Sequence, residues 1–152
     1  MLTRSRCKVH WKTQDATGWR TRNEEMPAKV RGCALLADRH LGLVEGVRGL
    51  LETEFEAVVV VGDEVSLFES ARQLHVAMAV VDLSLRRGDG LGLIRRIRSR
   101  FPQLKLVALS VHDEENVELA AIEAGADGFV LKRSIATDLL PTIDAVFAGS
   151  AM

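Results

Sequence analysis

Five times along this chain a short apolar run gives way to apolar residues at helical spacing, and that alternation leaves few folds open. The runs are Cys33–Ala37, Ala57–Val61, Ala77–Val81, Leu104–Leu109 and Gly128–Leu131. Continuous apolar runs of this length read as strands buried on both faces, which is how parallel sheets are built. The stripes between them are Leu43, Val44, Val47, Leu50 and Leu51; then Leu67, Phe68, Ala71 and Leu74; then Leu91, Ile94, Ile97 and Phe101; then Val117, Ala120, Ala121 and Ala124. Strand–helix units with short connections give an α/β fold with a doubly wound, five-stranded parallel sheet. Pro102 stops the third helix, whose outer face carries Arg95, Arg96, Arg98 and Arg100. Asp113, Glu114 and Glu115 suit the first turn of the fourth helix, and Gly125 its C-terminus. The last helix is expected to begin with Thr137 as its cap, leaving Pro141 near the first turn, where proline is tolerated.

The pattern starts only at Cys33. Residues 1–31 lack periodicity, and residues 1–32 carry eight Lys/Arg against three Asp/Glu. The remainder carries twelve against eighteen, so a net +5 and a net −6 combine to the chain's −1. This divides the chain into a flexible basic extension, 1–31, that does not pack on the body, and one domain, 32–150. The acidic body does not read as a nucleic-acid binder. Cys7 and Cys33 show no metal-ligand spacing, and no apolar stretch reaches the about 20 residues of a membrane span. A reducing, cytoplasmic setting is expected.

Polar residues follow the apolar runs: Asp38 after the first, Asp82 after the third, Ser110 after the fourth, Lys132 after the fifth. In open α/β sheets, ligands bind beyond the carboxyl ends of the strands, where strand order reverses. With order 2-1-3-4-5, all four groups converge there. Each alone could be a turn cap or a satisfied core residue; together they make a charged pocket.

These motifs carry a resemblance. Leu35-Leu36-Ala37-Asp38-Arg39-His40, Val80-Val81-Asp82-Leu83-Ser84-Leu85, Leu109-Ser110 and Gly125-Ala126-Asp127-Gly128-Phe129-Val130-Leu131-Lys132 are similar to response-regulator receiver domains of the NarL-like branch. The resemblance implies the flavodoxin-like fold with strand order 2-1-3-4-5. It implies that Asp82 accepts a phosphoryl group from a sensor histidine kinase or phosphotransfer protein. Ser110 and Lys132 would contact that group, and Phe129 would be the switch aromatic. Mg²⁺ would be held by Asp38, Asp82 and the Ser84 carbonyl.

Two departures from the family pattern bear on the chemistry. The family has two consecutive acids after the first strand, whereas Arg39 stands in the second place here. Arg39 is expected at the pocket mouth, paired with Asp38 or Asp82 and weakening the Mg²⁺ site. If it points outward, weak Mg²⁺ binding survives. The usual proline after the phosphoacceptor segment is replaced by Arg86-Arg87, read as a solvated basic loop.

Two functions follow. One is a phosphorylatable receiver signalling through protein contacts at the face of the fourth helix, fifth strand and fifth helix, with a possible homodimer there. The other is a pseudo-receiver used as a phosphorylation-independent interaction module. An enzyme of the haloacid-dehalogenase type would want an acid where Ser84 stands, so no enzymatic role is expected. Too few residues follow Gly149 for a helix-turn-helix, so the chain resembles a single-domain or truncated regulator, and neither DNA binding nor membrane contact is expected.

Overall fold

Along β1 (Cys33–Ala37) every residue is buried, and successive side chains serve two different cores. Ala34 and Leu36 join one cluster; Leu35 and Ala37 join the other. The same alternation divides Met78 and Val80 from Ala79 and Val81 on β3 (Val76–Asp82). A strand with two apolar faces needs cover on both, and helices supply it. The computed structural model describes residues 31–113 and 115–149. The remaining strands are β2 (Ala57–Val61), β4 (Lys105–Ser110) and β5 (Gly128–Leu131). All pair in parallel in the order β2-β1-β3-β4-β5, as the sequence predicts.

The helices are α1 (Leu41–Glu52), α2 (Glu64–Gln73), α3 (Gly90–Arg100), α4 (Glu115–Ala124) and α5 (Ile135–Ala148). Val44, Val47 and Leu51 of α1 and Leu139, Ile143 and Val146 of α5 cover one face. Leu67 of α2, Leu93, Ile94 and Ile97 of α3, and Ala121 of α4 cover the other. Short 3-10 turns follow β3 (Leu83–Leu85) and β5 (Lys132–Ser134). Among the described residues, no helix is long and apolar enough to cross a membrane.

Several local expectations need correction. The turn Lys132–Ser134 leads straight into α5, so the helix begins at Ile135 rather than after Thr137. The Thr137 hydroxyl donates to the Ser134 carbonyl from inside the first turn, and Pro141 lies a full turn deeper in a helix that continues past it. Asp113 precedes α4 and pairs with Arg133 at 2.8 Å, which holds its carboxyl below the ordinary value. Glu114 lies outside the described residues, as does the extension except for its last member. Arg31 packs on the body: its guanidinium sits 3.2 Å from Asp144 and 4.5 Å above the Phe147 ring.

Arg98 is the largest surprise, because helical spacing puts it among the solvent-facing arginines of α3. Its guanidinium instead donates to the carbonyls of Gly125 (2.8 and 3.0 Å), Pro102 (3.0 Å) and Leu104 (2.7 Å), and pairs with Asp127 at 2.7 Å. The same Asp127 oxygen accepts the Leu106 N–H at 2.9 Å. One side chain thus ties the end of α3 to the start of β4 and the turn before β5. Gly125 makes room for it: its φ is +128°, and a Cβ there would lie 2.8 Å from the Arg98 Cβ. Arg98→Ala is expected to cost about 2–3 kcal/mol, since it strips charged donors from several carbonyls and one carboxylate at once. Urea unfolding measures it, with exposed Arg95→Ala as the near-neutral comparison.

Candidate functional site

The register brings the strand ends level. Ala37 pairs with Val81, Asp82 with Leu109, and Ser110 with Leu131, so Asp38, Asp82, Ser110 and Lys132 share one edge. All four are buried, the carboxylates at 1% exposure and the lysine at 9%. Buried charges persist only when paired, because their desolvation costs several kcal/mol per ion. Lys132 Nζ lies 3.0 Å from Asp38 Oδ2 and 3.2 Å from Asp82 Oδ2, one ammonium between two carboxylates.

Asp82 is gripped further by the turn that follows it. The Ser84 hydroxyl donates to Oδ2 at 2.6 Å, and the Ser84 N–H approaches Oδ1 at 3.3 Å. Turning the chain this early is what α3 requires for its docking. A methyl group on Gly90 would run into the Leu83 carbonyl, so only glycine lets α3 start against the turn.

The expected pairing of Arg39 with a carboxylate is not found. Arg39 is exposed and makes no ion pair with the described residues. His40 takes the place instead: Nδ1 lies 3.1 Å from Asp38 Oδ1, 3.2 Å from Asp82 Oδ2 and 3.0 Å from Lys132 Nζ. The His40 N–H donates to Asp38 Oδ1 at 2.8 Å. Side chains two apart on extended chain share a side, so Asp38 and His40 turn inward while Arg39 points out. That alternation is the signal in the sequence that points to His40 rather than to Arg39.

Ser110 faces its own loop. Its Oγ accepts the His112 N–H at 2.9 Å and makes no hydrogen bond to Asp82. Phe129 is half-buried and packs against the core that α2, α3 and α4 cover. An open groove of about 480 Å³ runs from Asp82 and Ser84 past Arg87, Ser110 and His112 to Asn116.

Asp38, His40 and Asp82 bring three possible ligand atoms within 4.8 Å of one another. Asp38 Oδ2 is buried and lacks an aligned hydrogen bond, its lysine contact being ionic only. This donor set fits Mg²⁺ poorly. Mg²⁺ wants near-octahedral oxygen ligation, and the groups set against both carboxylates are an ammonium and an imidazole nitrogen. Ser84, expected to offer its carbonyl, engages Asp82 through its hydroxyl and amide.

Arg86 and Arg87 are both exposed, as a solvated basic loop requires, and Arg86 also reaches across to an acid on α2. Glu64 receives Arg86 at 2.6 Å and a bidentate grip from Arg96 at 2.8 and 3.1 Å, while Arg96 also holds Asp89 at 3.1 Å. Arg96 foremost, and Arg86 with it, keep the Glu64 carboxyl below its ordinary 4.5. The group's contribution to stability is therefore complete above pH 4.5 and disappears as pH falls through its lower folded value. Glu64→Gln is expected to cost about 0.5–1 kcal/mol at neutral pH in this partly exposed network. Urea titrations at neutral and strongly acid pH should show that cost vanish below the glutamate range.

Lys132 answers for more. Lys132→Met should cost about 3 kcal/mol or more at neutral pH, because two buried carboxylates lose their ammonium. Adding Asp82→Asn should recover part of the loss by removing one of the stranded charges. Urea midpoints of the three variants measure both effects.

The chain is similar to known proteins. Residues 34–144 match the family model described as the response regulator receiver domain. The nitrate/nitrite response regulator protein NarP of Escherichia coli K12 is 32% identical over 82% of this chain and 59% of its own length. The transcriptional regulatory protein RcsB of the same strain is 31% identical over 76% of this chain and 56% of its own. This chain therefore spans less than two thirds of these relatives. Among solved structures, the non-phosphorylated receiver domain of the stress response regulator RcsB from Escherichia coli superposes with a TM-score of 0.71 at 27% identity, covering 78% of this chain and 95% of that one. The isolated REC domain of RcsB from Salmonella enterica serovar Typhimurium in the apo form gives 0.69 at 30%, covering 79% and 90%. With its sheet order, its edge carboxylates and its buried lysine, this chain belongs to the response regulator receiver domain family.

Proposed function

We propose that this chain accepts a phosphoryl group on Asp82 from the phosphohistidine of a sensor kinase or phosphotransfer protein, and signals through protein contacts. One observation carries the reading: Asp82 is a buried carboxylate at a strand end, backed by an ammonium at 3.2 Å and open to the groove. In the transfer, a carboxylate oxygen attacks phosphorus, the new P–O bond forms as the donor's P–N bond breaks, and the electron pair leaves with the imidazole. Such transfer needs positioning and charge neutralisation more than covalent help. Lys132 follows the charge from carboxylate to phosphoryl oxygens. The Ser110 hydroxyl, released from His112, turns to another oxygen and draws its loop inward, and Phe129 moves with it.

The pseudo-receiver alternative has its own support. Asp82 Oδ2 is already engaged by Lys132, His40 and Ser84, and the second acid of the family pattern is replaced by Arg39. Incubation of the full chain with acetyl phosphate and a divalent cation, read by intact mass, separates the two readings. The phosphorylatable receiver gains one phosphoryl mass, and Asp82→Asn gains none. No gain in wild type with any small phosphodonor would assign the chain to the interaction-module class.

The output face is read as α4, β5 and α5. Val111 and Leu119, each 61% exposed, supply apolar surface at this edge, and the Asp113–Arg133 pair joins the Ser110 loop to the turn after β5. Leu119→Asp should weaken self-association or partner binding about tenfold, a loss of ~1.4 kcal/mol. Val65→Asp on α2, changing a residue 74% exposed, should leave it unchanged. Sedimentation of the three proteins across a concentration series is the measurement.

A further inference from the structure

We infer that residues 24–30, the part of the basic extension next to the domain, dock as a strap into an apolar groove of the same chain, at the amino ends of β3 and β4. The groove lies at the end of the sheet opposite Asp82, apart from the phosphoacceptor pocket.

The groove has a volume of about 570 Å³, and half-buried Leu74, Val76, Phe101 and Phe147 give it an apolar floor. Arg100 and Lys105 stand in its lining with no acid among the described residues there, although acids outnumber bases by eighteen to twelve from residue 33 onward. Neither cation pairs with a carboxylate of the described residues. The Arg100 guanidinium rests instead over the Phe68 and Phe101 rings, at 5.4 and 5.9 Å. Such a surface selects an apolar segment that carries carboxylates. The extension has one in the right place. Residues 1–23 hold six Lys/Arg against one Asp, whereas Glu24-Glu25-Met26-Pro27 brings two carboxylates and two apolar residues just before the domain. The chain's charge changes sign where it nears the groove, and the fixed φ of Pro27 lowers the entropy lost on docking.

The path between them is short. The Arg31 guanidinium lies 4.5 Å above the ring of Phe147, a lining residue, and Gly32 bends the chain off the line of β1 with φ +91°. A Cβ on Gly32 would stand 4.0 Å from that of Ala77, which also lines the groove. β4 is two strands away from β1, about 10 Å at the usual spacing. Seven extended residues reach about 23 Å, so Glu24 and Glu25 come within range of Arg100 and Lys105 while Met26 covers Phe101. Docking divides the extension in two: residues 24–30 belong with the domain, and the strongly basic 1–23 is left to other contacts.

The experiment labels thiols with a maleimide in the full chain carrying Met26→Cys, and reads the rate at each position by mass after digestion. Native Cys7 is the reference thiol outside the strap, and buried Cys33 the protected one. Arg100→Glu with Lys105→Glu should speed labelling at position 26 by about fivefold or more, the scale of two exposed pairs lost, and leave Cys7 unchanged. Neither substitution alters the charges beside position 26 in sequence, so the change reports the groove. In chains without the added thiol, the amide shifts of Phe101 and Lys105 should move with Met26→Asp and stay in place with Thr13→Asp. Melting curves check that every variant is folded, and the labelling rates should not depend on protein concentration. A rate at position 26 indifferent to the two groove substitutions, or groove shifts indifferent to Met26→Asp, would overturn the inference. Protection that grows with protein concentration would assign the groove to a second copy and overturn it as well.

Discussion

A single buried ammonium holds the chemistry of this protein together. Lys132 Nζ touches Asp38 after β1 and Asp82 at the end of β3, although it comes from the end of β5. The order β2-β1-β3-β4-β5 sets those three ends around one point. Two carboxylates at 1% exposure would otherwise repel each other in a medium that screens poorly. The lysine offsets that repulsion, and the sheet makes the lysine's reach possible. Packing and electrostatics are therefore one constraint: a shifted register of β5 would cost core contacts and strand two charges together.

Around this point the molecule is clamped on some sides and loose on others. Arg98 and Asp127 fasten the opposite end of the sheet, where β4 and β5 begin. Glu64 and Arg96 fasten α2 to α3 beside the loop after Asp82. The Ser110 loop has lighter ties: a hydroxyl bonded to its own His112 and an exposed ion pair from Asp113 to Arg133. Exposed pairs contribute little to stability, so this loop is the cheapest part of the pocket to move. A charge arriving at Asp82 would act first on this loop, and the loop leads directly to α4.

The sheet was legible in the sequence because its strands are apolar on both faces, and five such runs admit few arrangements. Asp38, Asp82, Ser110 and Lys132 were legible for the same reason: a polar residue ending an apolar run must sit at a strand's edge. His40 was not, because it lies two residues beyond Asp38, past the apolar run whose end marks the sheet's edge. Arg98 was hidden more deeply. Helical spacing puts it outside, and only the turn of β5 approaching through Gly125 turns that outer position into a clamp. The start of α5 was misplaced because a 3-10 turn has no periodicity of its own to read. Side chains whose roles depend on segments distant in sequence are the ones that spacing cannot show.

The central claim is that charge placed on Asp82 is felt at the α4–β5–α5 face through the ends of β4 and β5. The phosphomimetic BeF₃⁻, with which the REC domain of RcsB from Salmonella enterica serovar Typhimurium has been solved, offers a direct probe. Amide chemical shifts of the full chain would be recorded with and without it, for wild type and for Asp82→Asn. The account predicts shifts concentrated at Asp82, Ser110, His112, Phe129 and Lys132 and continuing into α4, all absent in the variant. Shifts confined to the residues touching Asp82, or unchanged by its replacement, would contradict it.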